Sequence, residues 1–552
     1  MSQLKLMPLG GMGKVTQNMY AYEFENEILI VDCGIGFPDH YMPGVDILIP
    51  DVSYLLKRIE AGASIVGMIL SHGHDDHIAA TPYLLPELPD FPIYASPLTA
   101  AFARVRMKEG NVKHVVREVV DGEEIKIGEH FSAEFLPVTH SVPDTKHIII
   151  RTPVGIVYHG TDFKLDHAPV DGRVTDTKRI SALKDEKVLC MLVDCLRIER
   201  EEPTKSESTT GPAIEKTMQE TKGKYIITLM SSHIHRIQQV VTAAAKHNRK
   251  IAFIGRSVEQ NVKNALELNM LTIPKDMKID KRDIENYADD KLCLIVAGAQ
   301  GQEGSTLIRA IFGEHHVLSV KPDDKVVFSA NAIPGNELNY YGAIDELAKN
   351  KIEVIYPDLV PDLHQSGHAS APEQIELISL LKPKFLYPIG GQDRHRRLFQ
   401  TRVAAELGYS EKAIIVPMDG EQIGFSPDDW RVVDVISLKP TLVDGLGIGD
   451  VGPTVLSDRR ALSQAGIVAI VIPRVMGEFD LDNMQIVSKG FVFMKEAAEV
   501  VNFIKQETAK IINDPKRKDD EGMKRQIEKL LSRRLFKIIR REPMIVPVIV
   551  DL

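Results

Sequence analysis

A short apolar run leads directly into a cluster of histidine and aspartate side chains, and this feature constrains the fold more than any other. The run Ser64–Ser71 (SIVGMILS) is followed at once by His72, His74, Asp76 and His77. On an extended segment, a spacing of two residues turns the side chains of His72 and His74 to the same side. Imidazole and carboxylate groups suit zinc or a similar divalent ion, and loops that follow strands commonly carry functional sites. We therefore predict a metal centre rather than a solvated histidine-rich loop, because the apolar run would hold the cluster rigidly.

Length and composition limit what surrounds this cluster. At 552 residues the chain exceeds one hydrophobic core, so we expect about two to four domains. Hydrophobic residues make up 44% and charged residues 26% of the sequence, and no run of about 18 apolar residues is present that could span a bilayer. The start, MSQLKLMPLGGMGK, lacks the pattern of a signal peptide. We expect a cytoplasmic protein without membrane contact.

Charge and cysteine content narrow the class further. The net charge of −10 argues against a protein that coats nucleic acid non-specifically, but an enzyme acting on nucleic acid needs only a local basic groove. The cysteines Cys33, Cys190, Cys195 and Cys293 are scattered and lack CxxC spacing. They are predicted to be buried free thiols in a reducing compartment.

The pattern of apolar residues changes along the chain. In the first part, short β-rich runs such as Phe131–Pro137 alternate with turns. From about residue 206 to 359, strands alternate with helices, for example the strand Tyr225–Met230 and a helix near His235–Lys246, which indicates a parallel sheet. The stretch Lys439–Pro453 is rich in glycine and proline and is predicted to be a linker.

The cluster has the HxHxDH signature of the metallo-β-lactamase superfamily, and the sequence resembles its members. Members add a later histidine, here His140 in PVTHSVPD, and an aspartate at a strand end, here Asp162 in GTDFK. The resemblance implies two Zn²⁺ ions, with Mn²⁺ or Mg²⁺ as alternatives, and the implied ligands are His72, His74, Asp76, His77, His140 and Asp162. His72, His74 and His140 would hold the first ion. Asp76 and His77 would serve the second, and Asp162 would bridge both, which predicts metal-assisted hydrolysis.

Dispersed stretches along nearly the whole chain are similar to ribonuclease J, of the beta-CASP group. They occur in the family's order and include Gly10-Gly11-Met12-Gly13, Ser232-His233-Ile234-His235-Arg236, Gly298-Ala299-Gln300-Gly301, Ile333-Pro334-Gly335-Asn336-Glu337 and His364-Gln365-Ser366-Gly367-His368-Ala369-Ser370. The resemblance implies an α/β protein: a metallo-β-lactamase αββα sandwich, an inserted beta-CASP α/β domain and a small C-terminal α/β domain. The implied limits are 1–205 and 360–438 for the metallo-β-lactamase domain, 206–359 for the beta-CASP domain, 439–453 for the linker and 454–552 for the C-terminal domain.

The resemblance also implies an activity. RNA would lie in the cleft between the two large domains, where it would be degraded 5′ to 3′ from a 5′ monophosphate and also cut internally, in RNA maturation and decay. His368 lies at the family's motif B, where it would stabilise the scissile phosphate or protonate the leaving oxygen. Asp76 and Asp194 complete the predicted catalytic residues, and Asp194, at motif A, would act as an anchor. The residues expected to contact RNA are His233, His235, Arg236, His364, Gln365, Ser366, Gly367, His368, Ala369 and Ser370.

The resemblance extends to assembly. The family's C-terminal domain supports dimers and tetramers, so we expect a homodimer or a homotetramer. Other proteins of RNA decay are expected partners.

One position departs from the family pattern. The family's motif C carries a histidine that completes the second metal site, and here Gly390 stands in its place within PIGGQD. Glycine has no side chain to donate, so Asp393 or a water fills the place, the second ion binds weakly, or a single ion is held. We favour retained activity because the remaining ligands and the loop His364–Ser370 are intact.

Two other functions compete with a ribonuclease. A catalytically weak or inactive scaffold subunit of an RNA-degrading assembly is the first, and Gly390 is the feature that favours it. Hydrolysis of a small molecule, such as a lactam or a thioester, is the second. The insertion at 206–359 and the loop His364–Ser370 argue against it.

Overall fold

The structure, a computed structural model, describes residues 2–39, 41–491, 498–514 and 519–552. Its internal contacts divide the chain into two units, one formed by Met1–Phe37 with Leu48–Thr441 and the other by Pro38–Ile47 with Leu442–Leu552. None of the helices in the described ranges combines the length and the apolar character needed to cross a membrane. The domain limits derived from the sequence stay predictions. The cysteines are free and buried, as predicted.

A mixed sheet in the first unit carries the histidine cluster. Its strands, in order across the sheet, are Trp430–Val435, Glu421–Phe425, Leu4–Gly10, Met19–Phe24, Glu27–Val31, Ser64–Leu70, Ile93–Ala95 and Val116–Glu118. Ser64–Leu70 runs parallel to Glu27–Val31 on one side and to Ile93–Ala95 on the other. A strand that is buried in this way is nearly continuous in apolar residues, as Ser64–Leu70 is. Its carboxyl end delivers the residues that follow to one edge of the sheet.

A second sheet packs face to face on the first. Its strands, in order, are Phe385–Ile389, Val188–Asp194, Ile156–His159, Lys146–Arg151, Phe131–Pro137 and Glu124–Ile127. The core between the sheets takes buried side chains from both, such as Tyr20 from the first and Leu192 from the second. Because successive residues of a strand face opposite sides, Phe135 enters this core and Leu136 enters the core on the other face.

Helices cover the outer faces of the two sheets. Ile180, Leu377 and Phe399 of three such helices form the core on the outer face of the second sheet. The helices of this part are Ser53–Glu60, Asp75–Ile78, Thr81–Leu84, Pro97–Glu109, Thr177–Leu183, Ala371–Leu381 and Asp393–Leu407. The predicted αββα sandwich is thus confirmed.

Parallel strands of the second sheet end at the same edge. Ile156–His159, Val188–Asp194 and Phe385–Ile389 are parallel neighbours. The carboxyl ends of parallel strands open the crevice in which α/β proteins place their sites. Asp162 follows the first of these strands and Gly390 follows the last. The fold therefore brings together residues that are more than a hundred positions apart in the chain.

The region between the strands Val188–Asp194 and Phe385–Ile389 forms a parallel sheet of its own, as predicted. The strand order is Lys250–Ile254, Leu292–Val296, Tyr225–Thr228, Lys325–Phe328 and Glu353–Ile355. Its helices are Thr210–Gln219, Ile234–Lys246, Arg256–Glu267, Thr306–Ile311 and Glu337–Lys349. In Ile234–Lys246 the buried residues Ile237, Val240, Val241 and Ala244 follow the spacing of an amphipathic helix.

The second unit has its own sheet and core. Its main strands are Glu478–Phe479, Ile467–Val475, Gln485–Lys489 and Met544–Asp551, and its helices are Pro453–Ala465, Ala498–Ile512 and Asp520–Ile539. Buried Ile527 and Leu531 pack with Val468 and Ile470 of the sheet.

The stretch predicted as a linker is not irregular throughout. Val443 and Asp444 pair with Ile448 and Gly447 in a short antiparallel hairpin. Gly445 adopts φ +58 in its turn. The dipeptide Asp-Gly is a strong signal for a hairpin turn, and the linker prediction overlooked it.

Candidate metal centre

Three histidine rings converge where the strand Ser64–Leu70 ends. His72 Nε2 and His140 Nε2 each lie 3.2 Å from His74 Nδ1. Asp162 Oδ2 lies 3.7 Å from His72 Nε2 and 3.7 Å from His140 Nε2. Ligand atoms held about 2.0–2.2 Å from a tetrahedral zinc ion stand roughly 3.3–3.6 Å apart, so the spacing fits a metal site. These residues, which we call the first ligand group, are brought together by the fold.

Neighbouring atoms fix the orientations of the His72 and His140 rings. His140 Nδ1 donates to the Gly367 carbonyl oxygen at 2.7 Å, and His72 Nδ1 lies 3.0 Å from Ser71 Oγ. Burial lowers the pKa of His74 to about 3 and holds the pKa values of His72 and His140 well below their ordinary range. The three imidazoles are therefore neutral at pH 7, which is the form that offers a lone pair to a metal ion.

A second ligand group consists of Asp76, His77 and the same Asp162. His77 Nε2 lies 3.6 Å from Asp76 Oδ2 and 3.6 Å from Asp162 Oδ2. Burial raises the pKa of Asp76 to about 6. Burial also disfavours a charged His77, but the carboxylates of Asp32, Asp76 and Asp162 outweigh this effect and raise the His77 pKa well above its usual value. The second ligand group therefore favours positive charge, which fits a cation.

Sequence reasoning missed Asp32, which orients His77. Asp32 Oδ2 lies 2.6 Å from His77 Nδ1 and accepts a hydrogen bond from Ser71 Oγ at 2.8 Å. The Asp32 side chain is fully buried. A carboxylate behind a metal-ligating histidine fixes the tautomer and raises the basicity of the ring. The signal in the sequence is an aspartate that directly follows the apolar strand Glu27–Val31.

His368 and Asp194 meet Asp162 at the same edge. His368 Nδ1 lies 2.7 Å from Asp194 Oδ2, and His368 Nε2 lies 3.9 Å from Asp162 Oδ2. Asp194 Oδ1 accepts a hydrogen bond from Leu196 N at 2.8 Å, so both oxygens of Asp194 are used. Burial lowers the pKa of His368, but Asp194 and Asp162 outweigh burial and raise it to about 9. The ring therefore carries a proton at pH 7, and its Nε2 faces the centre.

Gly390 lies next to both ligand groups. It adopts φ +67, and a Cβ atom built there would lie 3.1 Å from Asp194 Oδ1 and 3.8 Å from Asp162 Oδ1. A side chain at this position would enter the centre. Asp393 does not replace it, because the Asp393 side chain is 64% exposed and lies 3.2 Å from Arg396 Nη1. The expectation that Asp393 fills the place is therefore wrong, and within the described ranges the second ligand group gains no further member.

The loop His364–Ser370 passes beside the centre. A Cβ atom at Gly367 would lie 2.9 Å from the His140 ring, so only glycine permits this close approach. Ser366 Oγ accepts a hydrogen bond from His368 N at 3.1 Å, and Gln365 Nε2 lies 3.2 Å from Asp362 Oδ1. Gln365, Ser366 and Gly367 lie on the loop that carries His368, and their contact with RNA stays a prediction.

The end of this loop does not contact substrate in the way the sequence predicts. Ala369 and Ser370 are fully buried. Ser370 caps the helix Ala371–Leu381, and its side chain and that of Glu373 form a reciprocal capping box. The sequence Ser-Ala-Pro-Glu is the signature of such a box. The prediction that Ala369 and Ser370 contact RNA is therefore wrong. These residues hold the loop on the helix Ala371–Leu381.

The prediction that Arg236 contacts RNA is also wrong. It is fully buried, and its Nε and Nη2 donate to the two carboxylate oxygens of Glu207 at 2.8 and 2.7 Å. Its Nη1 donates to the Ser329 carbonyl oxygen at 2.7 Å and lies 2.9 Å from His364 Nδ1. With its donors used inside the protein, Arg236 positions the loop through His364 and has no donor left for a phosphate.

The two other predicted residues of this segment, His233 and His235, each lie close to a carboxylate. His233 is buried, and neither ring nitrogen has a hydrogen-bond partner among the described residues, although Nε2 lies 3.3 Å from Glu207 Oε2. His235 Nε2 lies 3.3 Å from Asp171 Oδ2. The contact of His233 and His235 with RNA stays a prediction.

Three family models match parts of the chain, and the first two matches overlap. Residues 29–251 match the Beta-lactamase superfamily domain, residues 222–347 match the Ribonuclease J beta-CASP domain, and residues 454–552 match the Ribonuclease J C-terminal domain. Among solved structures, a protein of unknown function from Enterococcus faecalis V583 is 16% identical and has a TM-score of 0.52 over 77% of this chain and 100% of that chain. This structural likeness concerns the fold alone.

Curated relatives match over almost the whole chain. Ribonuclease J of Helicobacter pylori is 34% identical over 558 residues, covering 99% of this chain and 79% of the relative. Ribonuclease J of Thermus thermophilus is 33% identical, covering 99% and 95%, and Ribonuclease J2 of Bacillus subtilis is 32% identical, covering 99% and 98%. Together with the metal-ligand geometry, these matches show that the chain belongs to the ribonuclease J family.

Proposed function

We propose that this chain is a metal-dependent ribonuclease that hydrolyses phosphodiester bonds in RNA. The observation that carries the proposal is the position of Asp162 Oδ2, which lies within 3.6 to 3.9 Å of imidazole nitrogens from His72, His140, His77 and His368. One oxygen thus faces both ligand groups and the predicted catalytic histidine. Membership of the ribonuclease J family supports RNA as the substrate.

The donor sets suit two cations of different affinity. His72, His74, His140 and Asp162 would hold the first ion, and three imidazoles favour Zn²⁺. Asp76, His77 and Asp162 would hold the second, where two carboxylates admit Mn²⁺ or Mg²⁺ as well as Zn²⁺. When bound, such ions polarise a phosphoryl oxygen and lower the pKa of water. Because Gly390 offers no ligand, we propose that the second ion binds more weakly than the first.

The chain's own residues orient and protonate the substrate. Asp194 accepts the Nδ1 proton of His368, which leaves the protonated Nε2 turned toward the ligand groups. We propose that His368 stabilises the scissile phosphate and donates a proton to the leaving oxygen as the phosphorus–oxygen bond breaks. Asp194 acts by holding the ring, and Gly367 keeps the loop close to His140.

Several further properties are proposed on the likeness to the family. The activity combines 5′-to-3′ exonuclease action, with a preference for a 5′ monophosphate, and endonuclease action in RNA maturation and decay. His233 and His235 are proposed to contact RNA phosphates. The chain is proposed to act in the cytoplasm as a homodimer or homotetramer with other proteins of RNA decay.

The proposal is tested with an RNA that bears a 5′ monophosphate. We expect the wild type to degrade it, a chelator to stop the reaction, and His74→Ala to lower the rate at least about a thousandfold, because His74 Nδ1 faces two other ligand nitrogens. Trials with lactam and thioester substrates should show no turnover.

Gly390 favours a second candidate, an inactive scaffold of an RNA-degrading assembly. The same experiment separates the two functions. A wild type that leaves the RNA intact in the presence of Zn²⁺, Mn²⁺ or Mg²⁺, and a His74→Ala variant that behaves like it, would establish the scaffold.

The proposed lower affinity for the second ion can be measured directly. In a metal titration followed by calorimetry, the wild type should show one tight and one weaker equivalent, and Gly390→His should tighten the weaker one by supplying the missing imidazole. Gly390→Ala is the matched control, because it has the same strain at φ +67, of about 1–2 kcal/mol, without a ligand. Two equally tight equivalents in the wild type would contradict the prediction.

A further inference from the structure

Arg197 follows the strand that ends at Asp194 and has no part in the proposed mechanism. It is three positions after Asp194, and its backbone pairs in a parallel bridge with that of Ser370. It therefore joins the strand end that carries Asp194 to the loop that carries His368. Its side chain is half-buried, whereas that of Arg200, three positions further on, is exposed.

Among the residues that the structure describes, no side chain or carbonyl group pairs with the Nε of Arg197. Its Nε is buried without a hydrogen-bond acceptor, and no side-chain hydrogen bond or ion pair of Arg197 occurs within the ranges that the structure describes. Buried donors in proteins are nearly always paired, so an orphaned one calls for a ligand. A guanidinium also stays charged, which makes the missing partner an anion.

The carboxylates near Arg197 are already used. Glu373 accepts hydrogen bonds from Leu165 N at 2.9 Å, from Thr204 N at 2.8 Å and from Ser370 N at 2.9 Å. Asp194 is bonded to His368 and Leu196, as described above. Burial and the charge of Arg200 lower the pKa of Arg197, while Glu373 and Asp194 oppose this only in part. Arg197 thus lies within the electrostatic influence of two carboxylates, but among the described residues it forms an ion pair with neither.

We propose that Arg197 binds a phosphate of the RNA substrate beside the metal centre, an assignment that rests on the proposed ribonuclease function. A guanidinium presents a planar fork of donors that matches two oxygens of one phosphate. RNA supplies two kinds of phosphate, the internal diesters and the 5′-terminal monophosphate, and both have the required chemistry. Arg197 is a binding residue in this proposal and takes no part in proton transfer.

The test compares binding by matched arginine variants. A 2′-O-methyl oligoribonucleotide, checked on a gel to remain intact, is titrated into metal-loaded protein at several salt concentrations and followed by fluorescence anisotropy. Arg197→Gln should weaken binding about tenfold and lower the slope of log affinity against log salt by about 0.7, because one phosphate contact is lost. Arg200→Gln, the control, should change the affinity less than about twofold.

Two further arms sharpen the result. Arg197→Lys should have the wild-type slope of log affinity against log salt, because lysine keeps the positive charge. It should still bind RNA more weakly than the wild type, because lysine lacks the planar pair of donors of a guanidinium. Probes with a 5′ monophosphate and with a 5′ hydroxyl distinguish the source of the phosphate: an equal loss on both indicates a diester, and a loss confined to the first indicates the terminal group.

The outcomes that overturn the proposal are distinct from those that overturn the ribonuclease. If Arg197→Gln and Arg200→Gln bind alike with unchanged slopes, Arg197 does not contact phosphate. If Arg197→Gln does not fold, an Arg197→Lys variant with wild-type affinity overturns the proposal in its place. If the wild type binds the probe but does not degrade RNA, only the proposed ribonuclease function is overturned. If the wild type does not bind the probe, both the ribonuclease function and the role of Arg197 are overturned.

Discussion

Replacing Asp162 by alanine is expected to lower the rate of RNA degradation at least about ten thousandfold. One of its oxygens lies 3.7 Å from His72 Nε2 in the first ligand group and 3.6 Å from His77 Nε2 in the second. Its loss therefore removes a ligand from both groups at once and leaves the second with Asp76 and His77 alone. Metal analysis of the purified variant should show loss of the second ion and weakened retention of the first.

The comparison with an exposed aspartate makes this result specific. Asp345 lies on the helix Glu337–Lys349 and is exposed, so Asp345→Ala should keep the metal content and the rate. Thermal unfolding of both variants distinguishes loss of metal from loss of the fold. If Asp162→Ala retained both ions and most of the activity, the shared-oxygen geometry would not be the basis of the reaction.

Replacing Arg236 by methionine is expected to destabilise the first unit by about 3–5 kcal/mol. Arg236 is fully buried, and the Glu207 side chain that accepts its two hydrogen bonds is 4% exposed. The substitution would leave a carboxylate buried without its counter-charge, which costs more than the pair itself contributes. The midpoint of urea-induced unfolding gives the measurement.

Two further variants are controls for the predicted loss of stability. Lys205 and Asp362 form an exposed ion pair, with side chains 62% and 46% exposed, so Lys205→Met should cost less than about 1 kcal/mol. The double variant Arg236→Met with Glu207→Leu should recover stability, because no charge is left unpaired. An Arg236→Met protein that is as stable as the wild type but binds RNA weakly would instead restore Arg236 as a phosphate contact.

The fold and the metal-binding half of the site could be predicted because their signals are local. An apolar strand, a spacing of two between His72 and His74, and alternating strands and helices each depend on neighbours within a few residues. The helix predicted near His235–Lys246 runs from Ile234 to Lys246 for this reason.

The errors have different physical causes. Arg236 has the chemistry of a phosphate ligand, and only the folded chain shows that Glu207 already pairs with it. Asp393 is only three positions after Gly390, but it begins the helix Asp393–Leu407, and its carboxylate lies next to Arg396. The error at Ser370 was avoidable, because the capping pattern Ser-x-x-Glu is present in the sequence. The resemblance of the loop to a substrate-binding loop led to the prediction of an RNA contact instead.

The carboxylate of Glu373 has a mechanical consequence. It fastens Leu165, three positions after Asp162, to Thr204 and to Ser370, two positions after His368. A displacement of any one of these segments would stretch hydrogen bonds to the other two. The segments that carry Asp162 and His368 are therefore coupled through one buried carboxylate, and neither can move without disturbing the position of the other.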